Sequence, residues 1–424
     1  MIVRARTVVT MDRAPIENGA VAISGNRIID LGSFDEVKGR NSGEIVDLGD
    51  QALLPGLINA HCHLDYTCLR GKIPPQKSFA DWIRAINAEK AKLSGADYLS
   101  SITEGFAEAK RFGTTTVANL TAFPELISQI HSPIRTWWFA ELIDVRSPEQ
   151  ANEIVDLAVE SIGKARPEPV LSEVQGGAPN WGLAPHALFT ASKNLYRRCE
   201  EVARHEDVLL TTHLAESREE MEMFCDGSGP LYDFMKGIGR DMSDCSGMTP
   251  LAAFIGATPS ASLRTGSDRA LPTGWIVAHL NELAGSDFEL LGRSTRKFHV
   301  VHSPRSHHYF AHSRFPFERL RALGFNICLA TDSLASNESL SLFAEMRTFQ
   351  RNEPGLLPDK IFEMVTVNPA LALHQSHHGG TLGRIRPGFQ ADLISIPCGG
   401  GTNLFEEIVA FAGPIDWMMV NGRM

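Results

Sequence analysis

Eight brief β-rich runs fall between about residues 56 and 375: LPGLINAHC, TTTVANLT, IRTWWFAEL, WGLAPHA, VLLTTHLAE, WIVAHLN, FHVVHSP and NICLATDS. Longer segments separate them, such as SKNLYRRCEEVARHE and SLSLFAEMRTFQRNE, in which apolar residues recur at helical spacing. Short apolar runs suit strands covered on both faces, and eight alternations of strand and helix are what a (β/α)₈ TIM barrel requires. A doubly wound parallel sheet alternates in the same way, so the count alone leaves both architectures open.

The ends of the chain have a different texture. TVVTM, AVAISGNRIIDLG and EIVDLG at the start, and GTLGRIRPGFQADLISIP and WMMVNGRM near the end, alternate short apolar stretches with Gly, Pro and Asn. The expected organisation is one small β domain assembled from residues 1–55 and 376–424, with an α/β domain at 56–375. A hydrophobic share of 43% provides for a sizeable core. Forty Lys and Arg against fifty Asp and Glu leave a net charge of −10, which argues against nucleic acid or an anionic membrane as a partner. The seven cysteines contain no CxxC pair, and no apolar run approaches the ~20 residues that span a bilayer. A soluble, cytoplasmic protein is the expectation.

Polar residues competent for metal binding or proton transfer recur where the apolar runs end: His61, His63, His186, His213, His279, His302 and Asp332. In a barrel those ends converge on one face, where barrel enzymes carry their active sites. His61-Cys62-His63 is a weak motif by itself, but on a strand residues i and i+2 share a side, so both imidazoles can face the axis while Cys62 faces the helices. A third imidazole and a carboxylate would complete a divalent-metal site with room for water, and His213 and Asp332 supply them. The bland alternatives are hydrogen-bonded core histidines and, for Asp332, a helix cap ahead of SLASNESL.

HLAE at 213–216 and HLNE at 279–282 have identical spacing, so Glu216 and Glu282 compete for the role of acid, with Glu216 modestly favoured by its strand. His186 and His302 read as substrate contacts rather than ligands, and His299 as facing the helices. His307, His308, His312, His374, His377 and His378 fall in loop-like stretches and read as solvated. Leu69, Arg70, Phe79 and Trp82 read as a lid, in which aromatic rings could stack on a heterocycle, or as plain loop packing. For Arg70 a salt bridge and a contact to an anionic group are both open.

The strings LPGLINAHCHLDYTCLRG, GLAPHALFTAS, THLAES, AHLNEL and ATDSLASNESLSLFAEMR resemble the amidohydrolase superfamily, in the branch holding adenosine-type, S-adenosylhomocysteine and methylthioadenosine deaminases and triazine chlorohydrolases. LGRIRPGFQADLISIP is similar to that family's return into its β-sandwich, so the resemblance covers almost the whole chain. It implies a (β/α)₈ barrel with a terminal β-sandwich, and one Zn²⁺ or Fe²⁺ held by His61, His63, His213 and Asp332. It further implies Glu216 as general acid and base, His279 beside the reacting water, and His186 against the substrate. No Lys ends the fourth run to bridge a second metal. The implied reaction is deamination of a 6-aminopurine nucleoside of the adenosine, methylthioadenosine, S-adenosylhomocysteine or aminodeoxyfutalosine type. The alternatives are guanine, pterin or cytosine deamination, triazine dechlorination, cyclic amide hydrolysis, or a non-catalytic barrel scaffold. The small-molecule partner is thus a heterocyclic amine, and the branch implies a homo-oligomer. Two stretches depart from close relatives: HSPRSHHYF differs from the Asn-containing version common in purine deaminases, and in FADWIRAINAEK Glu89 is the nearest acid for ribose hydroxyls.

Overall fold

A computed structural model describes residues 1–164, 180–258, 274–293, 297–373, 381–399 and 403–424. The strands in chain order are β1 (Ile2–Val8), β2 (Ile16–Ser24), β3 (Arg27–Ser33), β4 (Ile45–Asp47), β5 (Gln51–Pro55), β6 (Leu57–His63), β7 (Thr114–Thr121) and β8 (Arg135–Leu142). They continue as β9 (Trp181–Pro185), β10 (Leu209–Leu214), β11 (Trp275–His279), β12 (His299–His302), β13 (Ile327–Leu329), β14 (Asp332–Ser333), β15 (Leu393–Pro397) and β16 (Trp417–Met419). Among the described residues no helix is long and apolar enough to cross a membrane.

Strands β6 to β14 form one sheet in the order β13-β12-β11-β10-β9-β8-β7-β6-β14, with every pair parallel. Only Ala330 and Thr331 separate β13 from β14, so the two are halves of one run. The first half pairs with β12 and the second with β6, Asp332 lying opposite Cys62 and Ser333 opposite His63. That double pairing closes the eight runs into a barrel, which excludes the open, doubly wound alternative.

Side-chain alternation sorts the strands into two layers. Ile58, Ala60, Leu120, Trp137, Phe139, Ile276, Val301 and Cys328 pack together inside the barrel. Leu57, Cys62, Trp138, Ala140, Val277, Val300 and Leu329 face outward into the cluster shared with the helices. In β6 the parity changes between Ala60 and Cys62, where three residue steps on β6, Asn59 to Cys62, oppose two on β7, Val117 to Asn119. This extra residue is a β-bulge, and one residue of slip moves side chains to the other face. Without it His61 and His63 would share the outward side of Leu57.

The same alternation corrects the reading of β12. Val301 takes the inner position, so His302 turns outward and stacks on Phe315 with 4.0 Å between ring centroids. His299 shares the side of Val301, and its Nδ1 lies 2.7 Å from Asn326 Nδ2. The expected sides of His299 and His302 are therefore reversed, because the strand's parity is set by Val301 in the packed interior and not by the polarity of its end.

The two chain ends meet in a mixed sheet of order β16-β15-β5-β1-β2-β3, with β4 also on β1. β15 runs antiparallel to β5, and β1 lies parallel to both β4 and β5. The chain passes from this sheet into the barrel at Gly56, where Thr115 leaves no room for a Cβ. The expected boundary at 375/376, with His374, His377 and His378, lies outside the described residues. Beneath the barrel, Arg135 of β8 is fully buried and its Nε donates to Asp392 Oδ2 at 3.1 Å. Above it, the helix Phe79–Lys90 starts at the Ser78 cap, and its first free amides, Phe79 N and Ala80 N, donate to the Glu219 carboxylate.

Candidate metal centre and active site

The bulge in β6 turns His61 and His63 toward the axis, where His213 arrives from β10 and Asp332 from β14. Ring nitrogens of His61, His63 and His213 all lie within 4.8 Å of one another. His63 Nε2 and His213 Nε2 face each other at 3.2 Å. Asp332 Oδ1 stands 3.7 Å from His61 Nε2 and 3.9 Å from His63 Nε2. Among the described residues neither ring nitrogen of His61 has a hydrogen-bond partner, although the side chain is fully buried.

Orphaned imidazole nitrogens are costly inside a protein unless something binds them. Burial, reinforced by the neighbouring histidines, holds His63 well below the usual histidine range, and burial with His61 pushes His213 down to about 4. Neutral imidazoles are the form that ligates metal. His213 Nδ1 meets the His186 carbonyl at 2.8 Å, which makes Nδ1 the donor and leaves Nε2 with its lone pair toward the cluster. Three neutral nitrogens and one carboxylate fit a divalent cation.

Asp332 adopts a left-handed φ of 57°, which Asp tolerates better than most residues. Its Oδ2 accepts from Ser306 Oγ at 2.7 Å and its Oδ1 from Ser333 N at 2.8 Å. Behind it, Asn337 Nδ2 donates to the Thr331 carbonyl and to Glu345 Oε1, each at 2.7 Å, and Glu345 Oε2 accepts from Arg305 N at 2.9 Å. The expected alternative of capping does not apply, since Ser341 caps the next helix, Leu342–Asn352.

The two HLxE strings diverge in backbone. After His213 only Ala215 is left-handed, with φ 49°, whereas His279 and Leu280 are both left-handed, with φ 73° and 53°. Glu216 Oε2 thereby lies 3.6 Å from His279 Nε2, while Glu282 Oε1 accepts from Ser313 N at 3.3 Å, away from the cluster. The Glu216 backbone is held on both sides: its N–H donates to Glu220 Oε2 at 2.8 Å and its carbonyl accepts from Asn281 Nδ2 at 3.0 Å. Burial, with Asp332 and Glu220 nearby, raises the Glu216 carboxyl well above its ordinary range, the direction that suits a proton donor.

His186 lies close by, its ring centroid 4.8 Å from that of His213 and its Nδ1 2.7 Å from Thr190 Oγ1. Phe79, Trp82 and Phe310 form an aromatic cluster, with Trp82 and Phe310 edge to face at 4.9 Å. The remaining candidates are not brought to the cluster. Arg70 pairs with Glu108, Glu89 pairs with Lys92 at 2.6 Å, and His302 is engaged with Phe315. His307 and His312 are half-buried, contrary to their reading as solvated, and that burial pushes them down to about 4 and about 3.

The site also contains residues that sequence reasoning passed over. Glu141 is the last residue but one of β8, and its Oε1 lies 3.7 Å from His63 Nδ1. Asp65 and Tyr66, two and three positions beyond His63, are buried beside it, Tyr66 stacking on His63 at 5.7 Å. An acid closing an apolar run, the signal that picked out Asp332, was equally present in WWFAEL.

The sequence pattern of the amidohydrolase family matches residues 52–424. The chain belongs to the amidohydrolase family. Among relatives of this amidohydrolase is a 5-methylthioadenosine/S-adenosylhomocysteine deaminase from Nitratidesulfovibrio vulgaris, 28% identical over 414 residues that cover 93% of this chain and 83% of the relative. The Helicobacter pylori aminofutalosine deaminase, solved with methylthio-coformycin, superposes with a TM-score of 0.81 at 20% identity, covering 100% of this chain and 99% of that one. A Xanthomonas campestris adenosine deaminase with bound zinc gives 0.78 at 23% identity, covering 100% and 92%.

Proposed function

We propose that this amidohydrolase deaminates a 6-aminopurine nucleoside, releasing ammonia, with one zinc ion held by His61, His63, His213 and Asp332. The observation that carries the reading is the convergence of three imidazoles and Asp332 on one point, with the raised Glu216 carboxyl beside His279. The relative of the methylthioadenosine/S-adenosylhomocysteine type and the zinc-containing adenosine deaminase neighbour support both halves of it. The mixed sheet joining both chain ends supports a small terminal β-sandwich domain beside the barrel.

A divalent ion bound there lowers the pKa of a water toward ~7 and so makes a nucleophile available at neutral pH. Asp332, fixed by Ser306 and the Ser333 amide, accepts a proton from the attacking water. His279 hydrogen-bonds the incoming oxygen and keeps it aimed at the amine-bearing carbon. Glu216 gives its proton to a ring nitrogen, drawing electrons from that carbon as the C–O bond forms. Asp332 then passes the water's proton to the amine, Glu216 takes the proton of the new hydroxyl as the carbonyl forms, the C–N bond breaks, and ammonia leaves. The lid of Phe79, Trp82 and Phe310 excludes bulk water and offers stacking faces.

The test couples metal analysis to an ammonia-release screen over adenosine, methylthioadenosine, S-adenosylhomocysteine and aminodeoxyfutalosine, with pterins, cytosine and triazines as counter-substrates. One metal per chain and turnover of a purine nucleoside uphold the reading. Chloride release from triazines, or turnover of the counter-substrates alone, overturns it.

A further inference from the structure

One acid in the wall of this site has no part in the chemistry above. Glu141 shares the inward side of β8 with Trp137 and Phe139, so its carboxylate faces the axis. Its side chain is only 4% exposed. Among the described residues neither oxygen has a hydrogen-bond donor, and Oε1 is completely enclosed. His63 Nδ1 is 3.7 Å from its Oε1, beyond hydrogen-bond reach. One of its oxygens also lies within 4.8 Å of ring nitrogens of His186 and His213.

A buried carboxylate without a donor is unfavourable, so a donor must arrive with whatever fills the pocket. Its surroundings narrow the choice. Glu141 only accepts when ionised, His186 keeps one ring nitrogen free of Thr190, and the Lys90 ammonium lies over the Tyr66 ring at 4.7 Å. A hydroxyl is both donor and acceptor and can serve this mixed set, whereas a methyl group cannot. Glu89, the acid expected for such a role, is engaged with Lys92.

We propose that Glu141 is a specificity-determining residue, accepting a hydrogen bond from a hydroxyl on the substituent of the heterocycle, so that hydroxylated substrates are preferred over deoxygenated ones. The assignment rests on the deaminase reading above.

The experiment uses the metal-loaded full chain with adenosine, 2′-deoxyadenosine and 3′-deoxyadenosine, measured by ammonia release and by calorimetric binding. The wild type disfavours at least one deoxy analogue by about 10- to 100-fold in kcat/KM, the range of a hydrogen bond to a charged group. Glu141→Leu loses that factor on adenosine, mainly in KM, and leaves the discriminated analogue unchanged, and Glu141→Gln, which keeps a carbonyl acceptor, restores part of it. Metal stays at one per chain and the circular dichroism is unaltered in both variants. An equal loss on all three substrates, or loss of metal, makes Glu141 a support for His63 and overturns the proposal, as does a second metal ion per chain. If the wild type releases no ammonia from any nucleoside, the deaminase reading fails. Calorimetry then still decides Glu141 by whether the hydroxyl preference disappears in Glu141→Leu.

Discussion

Replacing Glu216 by Gln separates the proton from everything else this residue does. The amide has nearly the same size and leaves both backbone anchors, Glu220 Oε2 and Asn281 Nδ2, in place. It retains the polar contact toward His279 Nε2, 3.6 Å away, but cannot give a proton to a ring nitrogen. Positioned acids contribute ~10²- to 10⁴-fold, or about 3–5 kcal/mol of barrier. The expected result is therefore a kcat lowered by that factor, with KM, thermal midpoint and metal content close to wild type. Since burial raises this carboxyl, the wild-type rate should also fall on the alkaline side as the acid ionises, a limb absent from the variant. Glu282→Gln is the internal control: with the same spacing to its histidine but a contact to Ser313 instead of the cluster, it should change kcat less than about threefold. The measurement is single-substrate ammonia release across pH with parallel metal analysis. A Glu216→Gln enzyme within tenfold of wild type, or one that has shed its metal, would refute the reasoning.

Other outcomes follow from the same geometry. A chelator should abolish ammonia release and zinc should restore it, while Asp332→Ala or His213→Ala should bind less than one ion per chain by elemental analysis. Glu345 is raised by burial to about 8 from an ordinary 4.5, so the native state keeps a proton that the unfolded chain gives up. Its contribution is accordingly full below pH ~4.5 and is lost as pH rises through ~8, by at most about 1.4 kcal/mol per pH unit, and Glu345→Gln should flatten that part of the denaturation profile. Asp392→Asn removes the carboxylate that pairs with the fully buried Arg135 and should cost about 3–5 kcal/mol in urea unfolding; a loss under 1 kcal/mol contradicts a closed ion pair.

The barrel was legible because strands buried on both faces must be short runs without Lys, Arg, Asp or Glu in their middle, and β6, β7, β10 and β11 are written that way. The meeting of His61, His63, His213 and Asp332 was legible because an ionisable residue at the end of such a run demands a reason. What periodicity could not give was orientation. His61 and His63 share the inward side that their i, i+2 spacing allowed, but the bulge that turns that side inward is announced by no local pattern, and His302 faces outward because the interior had room for Val301. Glu216 and Glu282 were indistinguishable until the left-handed residues at 215 and at 279–280 sent their chains in different directions. Glu141 was missed for want of a neighbouring motif.

The broken eighth strand has a mechanical consequence. Its last two residues lie against Cys62 and His63, and Asn59 joins Thr331 across a span of 272 positions, so the first and last staves meet where the ligands do. Such remote pairing is slow to form and easily lost. A cation gripping both staves would act as the rivet of that seam, and its removal should open the barrel there first, exposing the amides of residues 59–63 and 330–333 to hydrogen exchange before those of β8 to β10.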